Sequence, residues 1–244
     1  MSVALRLSMW SGPRNISTAM MRAWGNRPDT LVFDEPLYAH YLHATGKPHP
    51  GAAEVIAAGP TDPRQAIQRM LQPPPDGKSI CYYKQMTHHI LPQMDRQWMR
   101  SHQHAFLIRD PRQVITSYIK HVADPTLADT GYPQQVEIFQ LVRGWTGIVP
   151  PVVDANDVLQ NPRGVLKRLC QSMNVEFAEQ MLSWPPGPRD TDGVWAKYWY
   201  KEVESTTSFR PYVPNDQSVP PHLHSLLDEC QHYYRQLYEH RLTA

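Results

Sequence analysis

Short apolar runs alternate with stretches of helical spacing along most of the chain. Residues 3–9 (VALRLSM) read as a buried strand, 11–16 as a turn, and 17–25 as a helix with Ala19, Met20, Ala23 and Trp24 on one side. Residues 31–33 predict a second strand, ended by Asp34-Glu35-Pro36. Residues 80–83 and 104–108 are the third and fourth apolar runs. After the fourth, Pro111 stands at the first turn of a helix, where its missing N–H costs little, and that helix is predicted over 113–121. Residues 151–155 predict a fifth strand, with Asn156 or Asp157 as the cap of the segment after it. Further helices are predicted over 134–147, 165–173, 194–203 and 223–238.

Strands alternating with helices imply an α/β fold: a mostly parallel sheet flanked by helices in three layers, similar to P-loop proteins. Ligands of such sheets bind beyond the carboxyl ends of the strands. The polar segments 11–18, 34–35, 84–89 and 109–117 all come directly after predicted strands, so they are expected to converge on one edge. The 24 prolines cluster between periodic segments and mark loops within one domain, residues 1–244, rather than linkers between domains.

With 24 basic and 23 acidic residues, the overall charge gives no pull toward nucleic acid or an anionic membrane, so any anion site must be local. Cys81, Cys170 and Cys230 lie far apart without a CxxC pair, which favours buried thiols over disulfides or a zinc site. No apolar run reaches the length of about 18 residues needed for a membrane span, and a cytoplasmic protein is expected.

Two elements carry the candidate chemistry. Ser11-Gly12-Pro13-Arg14-Asn15-Ile16-Ser17-Thr18 is a strand–turn–helix junction. A helix start offers unpaired N–H groups to an anion, and Arg14 adds a charged fork. The GxxxxGK[ST] pattern is absent, which weighs against an ATPase or kinase. In the second element, IRDPRQVITSY, Arg109 ends a strand and Ser117 lies eight residues later.

Together these elements resemble the sulfotransferase family that uses 3′-phosphoadenosine 5′-phosphosulfate (PAPS). SGPRNIST is similar to the family's 5′-phosphosulfate loop, and the Arg109–Ser117 pair to its 3′-phosphate motif. The segment from Val152 to Leu159, with Pro162 after it, is similar to a later strand–helix segment, so the resemblance spans positions 3–175. Ile16 departs from the pattern, standing where the family usually has glycine, and a β-branched residue resists positive φ. Asn15 likewise replaces a common serine.

The resemblance implies PAPS as donor, no metal, and transfer to a hydroxyl or amine of a small-molecule or carbohydrate acceptor. Glu35 lies in a Glu-Pro context similar to carbohydrate sulfotransferases, which implies a general base. In Lys84-Gln85-Met86-Thr87-His88-His89 a looser similarity to the histidine-base branch makes His88 or His89 the rival base, with Lys84 assisting the sulfuryl oxygens. Gly193, Trp195 and Lys197 echo a late segment near the 3′-phosphate, which makes Lys197 a candidate donor contact. A degenerate nucleotide-binding protein and a P-loop-type kinase or hydrolase remain alternatives, and oligomeric state is not readable from the sequence.

Overall fold

The computed structural model describes residues 4–75, 77–214 and 217–243. In chain order its elements are β1 (Leu5–Ser11), α1 (Ser17–Gly25), β2 (Thr30–Asp34), α2 (Tyr38–Thr45), α3 (Ala52–Ala58), α4 (Pro63–Met70), β3 (Ile80–Met86), β4 (Gln103–Ile108), α5 (Pro111–Tyr118), α6 (Leu127–Thr130), α7 (Tyr132–Thr146), β5 (Val152–Asp154), α8 (Ala155–Gln160), α9 (Pro162–Ser172), α10 (Ala196–Trp199), α11 (Lys201–Glu204) and α12 (His224–Tyr238). Val3, the predicted start of the first strand, lies outside the described residues.

All five strands pair in parallel, in the order β2-β3-β1-β4-β5. Alternate side chains feed two apolar layers. Leu7, Met9, Tyr82, Ala105 and Leu107 pack with α1, α2 and α9 on one face. Trp10, Cys81, Tyr83, Phe106 and Ile108 pack with α4 and α7 on the other. Burial on both faces explains the largely apolar runs in the sequence. The connection after β1 leads toward β2, while the connection after β4 leads the opposite way to β5. The carboxyl ends of the adjacent β1 and β4 therefore flank a topological switch point, where such sheets open a crevice.

Some local expectations change. Asp154 rather than Asn156 or Asp157 caps α8, accepting from the Asn156 N–H at 2.8 Å; a strand-end carboxylate already stands at the N-cap position. The single helix expected over 194–203 divides into α10 and α11 at Tyr200, whose side chain turns into the core. Among the described residues no helix is long and apolar enough to cross a membrane.

The second layer also buries polar groups. Ser8 Oγ meets His102 Nδ1 at 2.8 Å, and the Trp10 indole N–H donates to His104 Nδ1 at 2.9 Å. Burial pushes His102 down to about 3 and His104 to about 4. Both imidazoles are thus neutral in the fold, whereas an unfolded histidine titrates near 6.5. Below that value the unfolded chain takes up protons that the folded chain refuses, so stability falls as the pH drops toward the folded values. Denaturant titrations are expected to show a loss of about 1.6 kcal/mol per histidine between pH 6.5 and pH 5. Equal stability at both pH values would contradict the neutral pair.

Candidate active site

The turn after β1 is held by contacts that reach across the sheet. A Cβ on Gly12 would fall 2.5 Å from the Thr130 carbonyl oxygen, so only glycine fits that approach. The Ser11 carbonyl accepts from Thr87 Oγ1 at 3.3 Å. Pro13 leads into Arg14, which takes the left-handed conformation with φ 54°. Ile16 has φ −84°, so the turn places its left-handed residue two positions earlier and no glycine is needed at Ile16. Asn15 explains how the turn holds without the usual serine. Its Oδ1 accepts from the Ile16 N–H at 2.8 Å, and its Nδ2 donates to the Leu107 carbonyl of β4 at 3.0 Å.

Ser17 and Thr18 open α1. Met20 N–H reaches the Ile16 carbonyl at 3.0 Å. The N–H groups of Ser17, Thr18 and Ala19, ahead of it, have no intrahelical acceptor. Arg14 Nε donates to Ser117 Oγ at 3.0 Å, and Arg109 Nη1 donates to the Arg14 carbonyl at 2.7 Å. Arg109 Nε donates to Gln113 Oε1 at 3.1 Å, which fixes the guanidinium against α5. Burial lowers both guanidinium pKa values, but arginine stays charged. The geometry thus brings Arg14, Arg109, Ser117 and the start of α1 into one corner of the switch-point crevice.

A second cluster sits at the ends of β2 and β3. Asp34 and Lys84 are register partners. Lys84 Nζ donates to Asp34 Oδ1 at 3.0 Å, to Glu35 Oε1, and to the Tyr200 hydroxyl at 2.6 Å. Tyr200 OH in turn donates to Asp34 at 2.7 Å, and the Gly193 N–H to Asp34 Oδ2 at 3.1 Å. The Lys84 and Asp34 side chains are each 2% exposed and Glu35 11%. Glu35 has φ 41°, a rare conformation for a non-glycine residue, and its N–H is tied to the Lys84 carbonyl at 3.0 Å.

The histidines complete this cluster. His89 stacks on Tyr38 at 4.8 Å and on Tyr41 at 4.7 Å, with Nε2 4.0 Å from Glu35 Oε2. His88 meets Tyr41 edge-on at 5.1 Å. The Nδ1 atoms of both histidines are buried without a hydrogen-bond partner.

Electrostatics separate the groups. Burial raises the Glu35 carboxyl above its ordinary range, although Lys84 opposes the shift and Asp34 adds to it. Burial alone would lower Lys84, but the Asp34 and Glu35 carboxylates outweigh it and raise the ammonium well above its usual value. Two carboxylates around one cation account for the direction at Lys84, and burial beside Asp34 for the direction at Glu35. Burial pushes His88 down to about 3 and His89 well below its ordinary value.

Lys197 joins neither cluster through its ion pair. Its ammonium lies 2.6 Å from Glu54 Oε2 and is 58% exposed. From the same segment, Trp195 and Tyr200 turn inward, and the Trp195 N–H donates to the Tyr200 oxygen at 3.2 Å. Asp34 was expected at this edge only as part of the segment 34–35, without a role, and Tyr200 was not anticipated as a member of the site. The available signal was Lys84 itself, since a lysine inside the apolar strand ICYYKQM requires a buried counter-charge.

A family model described as "Sulfotransferase domain" matches residues 5–236. The chain belongs to the sulfotransferase-domain family. Among solved structures it is similar to the sulfotransferase domain of the Synechococcus PCC 7002 olefin synthase, with TM-score 0.56 and 16% identity over 100% of this chain and 98% of that one. A sulfotransferase from Alicyclobacillus acidocaldarius gives TM-score 0.54 and 10% identity over 99% and 98% of the two chains. At those identities the likeness establishes the fold. Two Arabidopsis thaliana proteins named branched-chain-amino-acid aminotransferase-like protein 1 and 2 are 32% and 29% identical over 95% and 92% of this chain. The sulfotransferase-family chain spans only 41% and 40% of their lengths.

Proposed function

We infer that this chain transfers a sulfuryl group from PAPS to a hydroxyl or amine of a small-molecule or carbohydrate acceptor. The observation that carries this reading is the junction of the two phosphate motifs, where Arg14 Nε donates to Ser117 Oγ at 3.0 Å and Arg109 Nη1 to the Arg14 carbonyl at 2.7 Å. The residues suit a doubly phosphorylated nucleotide: a helix start with free N–H groups for one phosphate, Arg109 and Ser117 for the other. Bound there, PAPS would supply the sulfuryl group and leave as 3′,5′-ADP.

The chain's own residues divide the remaining work. Glu35 takes the acceptor's proton, helped by its raised pKa. Arg14 and the N–H groups at Ser17 and Thr18 stabilise charge growing on the 5′-phosphate. Lys84 acts through Glu35, since its three donors already face Asp34, Glu35 and Tyr200. The test is calorimetric titration with 3′,5′-ADP and with ATP, with and without Mg²⁺, and then turnover with PAPS. Metal-independent preference for 3′,5′-ADP is expected. Preference for Mg-ATP would favour a kinase or hydrolase, and binding without turnover a nucleotide-binding protein.

Arg109→Ala is expected to weaken 3′,5′-ADP by about 1.5–3 kcal/mol, the value of a charged hydrogen bond, and to leave 5′-AMP nearly unchanged. Equal losses for the two nucleotides in the same titration would remove Arg109 from the 3′-phosphate.

A further inference from the structure

A cavity of about 440 Å³ lies beside β2, the edge strand of the sheet, and Glu35 lines it. Its walls are mostly apolar, with Val55, Ala66, Met70, Pro36 and Trp195 among them. That size is within the range of small-molecule sites. Its position is set by strand order. Arg109 comes after β4, Arg14 after β1 and Glu35 after β2, in a sheet ordered β2-β3-β1-β4-β5. On the assignment of Glu35 as base, the donor occupies the β4–β1 side and the acceptor must approach from the β2 side. This cavity lies on that side.

We propose that this cavity receives the acceptor, and that the acceptor is a compact, largely apolar alcohol rather than a saccharide. The argument rests on which polar groups remain free. Asp34 is committed to Lys84 and Tyr200. Asp192 is held by the buried Arg22, with Oδ2 at 2.7 Å from Nη2. Beyond Glu35 the polar side chains left to a ligand are Arg69 and Thr191, both exposed. A saccharide entering would strip water from ring hydroxyls with few partners to replace it, whereas an apolar body gains by burial. One hydroxyl placed at Glu35 is the polar contact that the buried part of this lining offers.

The inference depends on the transferase reading only for the role of Glu35, so binding is measured apart from turnover. The probe is 3-phenyl-1-propanol, observed by saturation-transfer NMR on the full chain with 3′,5′-ADP present, and glucose is the comparison ligand. Ala58 and Thr191 are exposed lining residues, so Ala58→Trp and Thr191→Trp fill the cavity without repacking the core. The alcohol is expected to bind, glucose not, and each tryptophan to weaken the alcohol at least about tenfold, with 3′,5′-ADP affinity unchanged. Glucose binding in preference to the alcohol, or alcohol binding that ignores both tryptophans, overturns the proposal. Alcohol binding that both tryptophans abolish, with no PAPS turnover on any acceptor, supports the cavity assignment and sinks the transferase reading instead. Turnover of a saccharide unaffected by either tryptophan does the reverse.

Discussion

Replacing Glu35 by glutamine is expected to lower kcat about 100-fold or more while leaving 3′,5′-ADP affinity nearly unchanged. The amide keeps the shape of the carboxylate but has no basic oxygen to take the acceptor's proton. The fold should tolerate it, because Lys84 keeps Asp34 at 3.0 Å and Tyr200 at 2.6 Å as partners. The rival bases are weaker by the same physics that buries them. His88 and His89 are neutral at physiological pH, but burial pushes His88 down to about 3 and His89 well below its usual range. A base works best with its pKa near the working pH, and Glu35 is the group shifted in that direction. The wild-type rate should therefore fall as the pH drops through a value above the ordinary glutamate range. His88→Ala and His89→Ala should each cost less than Glu35→Gln in the same steady-state assay. A histidine variant without turnover beside an active Glu35→Gln would move the role of base to the imidazole.

The sheet was legible because both of its faces are buried. Strands covered on both sides leave largely apolar runs, and all five were found within a few residues of their ends. Helix α1 was read to the residue, since its apolar side and its turn of small polar residues mark both limits. The helices α2, α3 and α4 were not anticipated. They are short pieces separated by Gly46, Pro48, Pro50, Gly59 and Pro60, and such punctuation hides helical spacing.

The site divides in the same way. The loop motifs and the strand-end carboxylate are local features, and the family resemblance rather than spacing alone singled them out as candidates. Ile16 marks a turn that does without glycine, but the left-handed residue itself is set by partners distant in sequence: Asn15 and Arg109 brace Arg14 in that conformation from β4 and the loop after it. Tyr200 lies 116 residues from Lys84 and meets it only through tertiary packing. Lys197 has the residue type expected of a phosphate contact, yet the short α10 turns it outward to Glu54 while Tyr200 turns inward. Type was readable there; direction was not.

Lys84→Met is expected to lower stability by about 3–5 kcal/mol at pH 8, the cost of removing one partner from a buried ion pair. The thioether fills much of the lysine's volume, so little of the loss comes from packing. It comes from Asp34 and Glu35, which share this single ammonium and would be left buried beside each other. The variant can relieve that repulsion by binding a proton between the two carboxylates, and this sets the sign of its pH dependence. A carboxyl group raised in the folded state above its unfolded value gives the folded chain a proton that the unfolded chain lacks, so stability increases as the pH falls through the raised value. The gap between wild type and variant should thus narrow from pH 8 to pH 5 in chemical denaturation. Adding Asp34→Asn removes one of the two charges, so the double variant should recover part of the loss, and a double-mutant cycle measures the coupling directly. Even where the variant folds, the proton held at Glu35 near neutral pH should suppress turnover. A Lys84→Met protein within about 1 kcal/mol of wild type at pH 8, far below the expected cost of an orphaned buried charge, would show that Lys84 does not hold the two carboxylates in place.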